Sequence, residues 1–69
     1  MTFEEVKKKK PVNLRLVGLD GNAFALMGAF KNKAKAEGWS REEIEAVINE
    51  CMSGDYDNLL ATLMEVTSG

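Results

Sequence analysis

The residues best suited to chemistry lie in one short turn, Gly18-Leu19-Asp20-Gly21-Asn22. Asp-Gly and Gly-Asn pairs favour tight or left-handed backbone conformations. A turn that opens a helix presents free backbone N–H groups, which bind phosphate or carboxylate groups. One prediction from the sequence is therefore a binding site for a small anionic ligand or a nucleotide, formed by Gly18, Asp20, Gly21 and Asn22. The alternative is a plain strand-to-helix turn, in which Asp20 or Asn22 only caps the helix.

The spacing of this turn differs from the two common nucleotide-binding motifs. The phosphate-binding loop G-x-x-x-x-G-K-[ST] is absent, and no lysine follows the second glycine. No second strand with a ribose-binding acid follows the next predicted helix, so the dinucleotide fingerprint is absent as well. The turn therefore predicts, at most, that its backbone N–H groups bind an anion.

Catalysis and metal binding find little support in the composition. The 69-residue chain has no histidine and a single cysteine, Cys51. Neither a Ser-His-Asp nor a Cys-His arrangement is possible, and structural zinc requires four Cys or His ligands. Cys51 falls on an apolar helix face, where burial keeps a thiol protonated and unreactive. We predict a protein that is not an enzyme and that has no metal and no cofactor.

The charges are distributed unevenly along the chain. Residues 1–41 contain nine basic and four acidic side chains, for a net charge of +5, whereas residues 42–69 contain seven acidic side chains and no basic one. Such asymmetry steers a charged partner, or orients a second copy head to tail. The alternative is that the two halves neutralise each other within the fold.

The first eleven residues form a basic arm, which we expect to be disordered or to be a short edge strand. Lys7–Lys10 are suited to contact nucleic acid. Four lysines without an aromatic neighbour, in a chain of pI about 5.0, are more typical of a solvated arm, so nucleic acid is kept only as an alternative partner. The arm lacks the apolar stretch of a signal peptide, and no apolar run reaches the roughly 20 residues of a membrane span. Together with the lone cysteine, this predicts a cytoplasmic protein without a membrane segment.

A strand is predicted where apolar and polar residues alternate, over Val12–Val17. Val12, Leu14 and Leu16 share one face, which is the pattern of a half-buried strand. One strand leaves its backbone hydrogen bonds unsatisfied and needs a neighbour. The candidate neighbours are the arm over Thr2–Lys8 and the same strand of another subunit.

Three helices follow the turn. The first is predicted over Asn22–Glu37 and ends at Gly38, a left-handed cap. The second begins with a capping box, Ser40 and Glu43, and the third begins at Asp55 as N-cap. Apolar residues recur at helical spacing and predict the core faces: Ala23, Met27, Phe30 and Ala34 flanked by Leu26 and Phe24; Ile44, Val47, Ile48 and Cys51; Tyr56, Leu59, Leu60 and Leu63 with Met64 alongside.

The side of the first helix opposite its predicted core stripe carries small residues, which allow close approach by another element. Combined with a strand that lacks a neighbour, this predicts a symmetric homodimer. The candidate interface residues are Val12, Leu14, Leu16, Ala25, Gly28 and Ala29. The alternative is that these alanines occupy an exposed face for their helix propensity alone.

The segment Leu16–Phe30, read as LVGLDGNAFALMGAF, resembles a family of short bacterial and phage proteins of unassigned function. Gly38-Trp39-Ser40 with the acids after it, and Ser53-Gly54-Asp55-Tyr56, are similar to later parts of the same family. The resemblance covers about residues 12–66. It implies a bacterial or phage origin and no particular activity.

The sequence as a whole predicts an α+β protein that is mostly α, with one N-terminal strand, either alone or in a two-stranded hairpin with the arm, followed by three short helices. Residues 1–11 are assigned to the arm and residues 12–69 to a single small domain. The leading functional hypothesis is a non-enzymatic binding module that self-associates and modulates a protein partner. The alternatives are an anion or nucleotide binder that uses Gly18–Asn22 and a nucleic-acid accessory protein that uses Lys7–Lys10.

Overall fold

Helices make up most of the molecule, as expected, with a very small sheet beside them. A computed structural model describes residues 2–9, 11–16 and 21–68. The elements in chain order are α1 (Phe3–Val6), β1 (Val12–Asn13), α2 (Ala23–Ala36), α3 (Arg41–Cys51), α4 (Tyr56–Val66) and β2 (Thr67–Ser68). The predicted class, α+β and mostly α, is therefore confirmed. The differences lie in the N-terminal arm, in the pairing of the strand and in its length, because β1 covers only Val12–Asn13 of the predicted Val12–Val17 and residues 14–16 are not in a strand.

The arm contains a helix, so the expectation of a disordered segment or an edge strand is wrong. Thr2 is the N-cap of α1, and its hydroxyl accepts a hydrogen bond from the backbone N–H of Glu5 at 3.3 Å. Phe3 and Val6 are three residues apart and share one helix face. That face packs towards α3, and Val6 is buried.

The strand β1 pairs with the C-terminal end of the described chain. It lies parallel to β2, with Val12 opposite Thr67 and Asn13 opposite Ser68. The predicted hairpin with the arm is wrong, because the chain between α4 and its end supplies the neighbouring strand instead. On the other side of β1, the backbone N–H of Asn13 donates to the carboxylate of Glu37 at 2.9 Å. Both sides of this short strand therefore have partners within the chain.

The starts of the three long helices are capped as predicted. Asn22 accepts from the backbone N–H of Phe24 at 2.8 Å. Ser40 accepts from the backbone of Glu43 while the Glu43 carboxylate accepts from the backbone of Ser40. Asp55 accepts from the backbone of Asn58 at 3.0 Å. Because each cap satisfies N–H groups that a helix leaves free, these local signals set the helix boundaries.

The link between α2 and α3 is short, and one of its residues adopts the left-handed backbone conformation. Gly38 has φ of +92°, a conformation that side chains with a Cβ rarely adopt. It turns the chain so that the indole ring of Trp39 meets the ring of Phe30 edge to face, with centroids 5.5 Å apart. Both side chains are buried.

The core is formed by residues from every helix and from β1. Its members are Val6, Val12, Leu26, Met27, Phe30, Ala34, Trp39, Ile44, Ala46, Val47, Cys51, Leu59, Leu63 and Val66. Most of the predicted apolar stripes are confirmed, including Cys51. Tyr56, predicted within a stripe, and Phe24 and Met64, predicted beside the stripes, are instead exposed.

Two ion pairs join the residues after α1 to the rest of the fold. The ammonium group of Lys9 lies 2.6 Å from the Glu43 carboxylate and 5.7 Å from the centroid of the Trp39 ring. Hydrogen bonding to Lys9 lowers the pKa of Glu43. Lys7 lies 3.2 Å from Glu4 and 3.9 Å from Glu65, and its hydrogen bond to Glu4 raises the pKa of Lys7.

None of the described helices combines the length and the apolarity that crossing a membrane requires.

The burial of Val6 predicts that α1 contributes to stability. Val6→Ala removes two buried methyl groups and should lower the free energy of unfolding by about 2 kcal/mol. Urea denaturation of the full chain measures this loss. Lys8→Ala, at an exposed position in the same arm, serves as the control and should stay within about 0.5 kcal/mol of the unmodified protein. Equal stability of Val6→Ala and Lys8→Ala would contradict the packing of α1.

Candidate protein-interaction surface

The predicted anion site is only partly within the described residues. Gly18 and Asp20 lie outside them, whereas Gly21 and Asn22 lie inside. The side chain of Asn22 caps α2, and the backbone carbonyl of Gly21 accepts a hydrogen bond from the hydroxyl of Tyr56. This contact fastens the start of α2 to the start of α4. Anion binding by the turn stays a prediction.

The predicted interface residues separate into two groups. Val12 is fully buried, and Leu14 and Leu16 are half-buried against the core. The small residues of α2 remain accessible, since Ala25 is exposed and Gly28 and Ala29 are half-buried. A Cβ placed on Gly28 would meet no other atom within 4 Å, so the space above this face of α2 is open. Val12 thus serves the protein's own core, whereas Leu14 and Leu16 pack against that core but remain partly accessible, as do Gly28 and Ala29.

A feature that the sequence reasoning missed is a set of large apolar side chains at the surface. Phe24 is 77% exposed, Met52 61%, Tyr56 43% and Met64 67%. Monomeric proteins of ordinary solubility seldom leave neighbouring large apolar groups in water unless they bind something. We refer to these four residues as the apolar surface.

Three members of the apolar surface surround one groove. Phe24, Met52 and Tyr56 line a depression of about 310 Å³ together with Ala23, Met27, Cys51, Gly54, Asp55 and Leu59. Phe24 comes from the first turn of α2, Met52 caps the end of α3, and Tyr56 begins α4. The groove therefore lies where the start of α2 meets the turn between α3 and α4.

The turn between α3 and α4 is tight at Gly54. A Cβ added to Gly54 would lie 2.9 Å from the Cβ of Asn58, a distance shorter than such atoms tolerate. The side-chain amide of Asn58 donates to the backbone carbonyl of Glu50 at 2.9 Å and closes this turn. The close approach at Gly54 holds Met52 and Tyr56 on either side of the groove.

The floor of the groove is rigid and apolar. Met27, Cys51 and Leu59 are buried beneath the exposed side chains. Burial, with a smaller contribution from the charge of Glu50, raises the pKa of Cys51 to about 11. The thiol is therefore protonated at neutral pH and behaves as an apolar group.

The apolar surface continues along α4. Tyr56, Leu60 and Met64 are spaced four residues apart and share one helix face, and Leu60 is half-buried between its two exposed neighbours. Over these eight residues the face extends for about 12 Å. The accessible area is thus an elongated strip that begins at the groove.

The charged side chains at the groove and at the start of α4 are acidic. Asp55 lines the groove, and Asp57 lies in the first turn of α4 beside Tyr56. Both are exposed. The groove end of the apolar surface is therefore bordered by negative charge.

A second groove, between α2 and α3, has the opposite character. It measures about 590 Å³ and is bordered by Lys31, Lys35 and Arg41 over the edges of Trp39 and Ile44. These two apolar side chains belong to the core and are only 8% and 5% exposed. The border of this groove is therefore mostly basic, and the one acid among its lining residues, Glu45, lies 2.7 Å from Arg41.

The basic arm is largely occupied by contacts within the protein. Lys7 and Lys9 have carboxylate partners, as described above, and Lys10 lies outside the described residues. Within residues 2–9, 11–16 and 21–68, no three carboxylate or thiol groups converge where they could hold a metal ion.

Comparison with known proteins gives no match to any family model, curated protein or solved structure. The resemblance to short bacterial and phage proteins stays a prediction.

If the apolar surface is not needed for folding, its removal should leave stability unchanged. Phe24→Asp should stay within about 0.5 kcal/mol of the unmodified protein, because Phe24 is exposed and an acid is favourable in the first turn of a helix. Leu59→Ala, at the floor of the same groove, should lower the free energy of unfolding by about 3 kcal/mol. Urea denaturation compares the two variants. A loss for Phe24→Asp as large as that for Leu59→Ala would make Phe24 a structural residue.

Proposed function

We propose that this chain is a small, non-enzymatic binding module that docks a segment of another protein on the apolar surface. The observation that carries the proposal is the exposure of Phe24, Met52 and Tyr56 around one groove. In a chain of 69 residues the core is marginal, since such a chain buries only about 60% of its unfolded surface. Burial of these three side chains would stabilise such a core. Their exposure therefore supports the proposal that a partner covers them.

The surface has the anatomy of a protein-binding site. A rigid floor of Met27 and Leu59 lies beneath flexible or aromatic side chains at the rim. Aromatic residues and methionine are enriched at protein interfaces, and methionine adapts its shape to a partner. The acidic neighbours Asp55 and Asp57 supply a polar border of the kind that surrounds an interface core.

The site is tested by photo-crosslinking from within it. Phe24 is replaced by p-benzoylphenylalanine, and Glu42, exposed at the start of α3, carries the same probe as a matched control. We expect a defined protein adduct from position 24 and not from position 42, in the cells that make the protein. The adduct should disappear when Met52→Asp is added, while circular dichroism shows that the helices are retained. The same set of adducts from both positions, or none from position 24, would contradict the proposal.

Self-association is a second candidate, and the open space above Gly28 favours it. A helix or strand of a second copy has room to approach Ala25, Gly28 and Ala29 closely. Phe24 lies one turn before Gly28 on α2, so such a dimer would also cover part of the apolar surface. Self-association and partner binding would therefore compete for overlapping residues.

Sedimentation equilibrium tests self-association. We expect a dimer at tens of micromolar protein, and Gly28→Leu should convert it to a monomer because the larger side chain blocks close approach. The monomer fold should be preserved, since leucine has space at this position and is a better helix former than glycine. A monomer for the unmodified protein, or a dimer that is unaffected by Gly28→Leu, would contradict dimerisation through this face.

The other hypotheses from the sequence stay predictions. Lys7 and Lys9 are ion-paired within the chain, which weakens the case for nucleic acid on Lys7–Lys10. Gly18 and Asp20, two of the four residues of the anion hypothesis, lie outside the described residues. A bacterial or phage origin and a cytoplasmic location remain part of the proposal, on the sequence features that suggested them.

A further inference from the structure

We infer that the segment docked on the apolar surface is an amphipathic helix that carries lysine or arginine beside its apolar face. This inference rests on the proposed function and specifies the partner. It follows from the shape of the apolar surface, from the negative sign of the charges that border it, and from the other kinds of partner that those charges disfavour.

The shape of the surface fits a helix. The strip from Tyr56 to Met64 is about 12 Å long, and the groove beside Phe24 lies at one end of it. A helix presents apolar residues at i, i+3, i+4 and i+7, which span about 10 Å along its axis. Two turns of a partner helix therefore match the strip, with one large side chain placed in the groove.

The charges select the polar residues of that helix. Asp55 and Asp57 are exposed at the border, and the residues lining the groove include no base. Glu65, the other acid on α4, lies 3.9 Å from Lys7 and belongs to a different side of the helix. Lysine or arginine next to the apolar face of a partner would lie close to Asp55 and Asp57. Glutamate or aspartate at the same positions would be repelled.

The same charges disfavour two other occupants. A two-fold dimer centred on Tyr56 would bring Asp55 and Asp57 of one copy towards the same residues of the other. A nucleic acid would bring phosphates against these carboxylates. A basic helix is the occupant that satisfies both the apolar area and the acidic border.

Three synthetic helical peptides of equal length test the inference. All carry the same leucines at i, i+3, i+4 and i+7, and their polar faces consist of lysine, glutamine or glutamate. Fluorescence anisotropy measures their binding to the full chain at low and high salt. The lysine peptide should bind roughly tenfold more tightly than the glutamine peptide, and the glutamate peptide most weakly. The difference should shrink as salt screens the charges.

Two charge-reversal variants locate the effect. Asp57→Lys should weaken the lysine peptide and strengthen the glutamate peptide. Glu42→Lys makes the same change in net charge at an exposed position ten residues, or about 15 Å along α3, from Met52. It should leave the order of the three peptides unchanged. Phe24→Gln removes the apolar group without adding charge and should weaken all three peptides, and circular dichroism checks that each variant is folded.

The outcomes separate this inference from the proposed function. Equal binding of the three peptides, abolished by Phe24→Gln, would overturn the inference and leave the docking surface standing. If the lysine peptide binds both Phe24→Gln and Asp57→Lys as tightly as it binds the unmodified protein, its site lies elsewhere on the protein and the inference is overturned. Failure of all three peptides to bind would also overturn it, and the crosslinking experiment would then decide the proposed function independently.

Discussion

The contact between Phe30 and Trp39 is the interaction on which the rest of the structure depends. Phe30 is the largest fully buried side chain of the described residues, and the Trp39 ring meets it edge to face. Because Trp39 lies in the link between α2 and α3, this contact sets how the two helices cross. Their crossing in turn brings the end of α3 and the start of α4 next to the start of α2, where the groove is found. The groove is therefore a consequence of how the core closes.

The small size of the chain explains why α1 and the two short strands contribute to covering the core. Three short helices cannot enclose a core alone, so α1 covers one part of it with Val6 and β1 covers another with Val12. The parallel pairing of β1 with β2 then fastens the segment before α2 to the end of α4. With nearly every part of the chain recruited to cover the core, the exposed Phe24, Met52 and Met64 stand out as apolar groups that the fold itself does not use, whereas Tyr56 contributes its hydroxyl to the contact with Gly21.

Local signals made much of the fold predictable. The caps Asn22, Ser40 and Asp55 act on N–H groups two or three residues away, and the turn at Gly38 depends on its own φ angle. The same type of signal was present at Thr2-Phe3-Glu4-Glu5, a cap followed three residues later by an acid. The lysines and Pro11 that follow it predicted an arm instead of a helix.

Sequence alone determined the starts of the three long helices, most core faces, the buried position of Cys51 and the division of charge between the two halves, because each depends on neighbours along the chain or on composition. Only the tertiary structure decided that β2 pairs with β1, since the two lie more than 50 residues apart and a two-residue strand has almost no pattern. It also decided that Val12 faces inward while Phe24 and Met64 face outward. Helical spacing predicts which residues share a face, but the packing of the other helices determines how far the core extends around it. The glycines of the turn at Gly18–Asn22 predicted a binding site in the turn itself, whereas the apolar surface that packing leaves exposed begins two residues later, at Phe24.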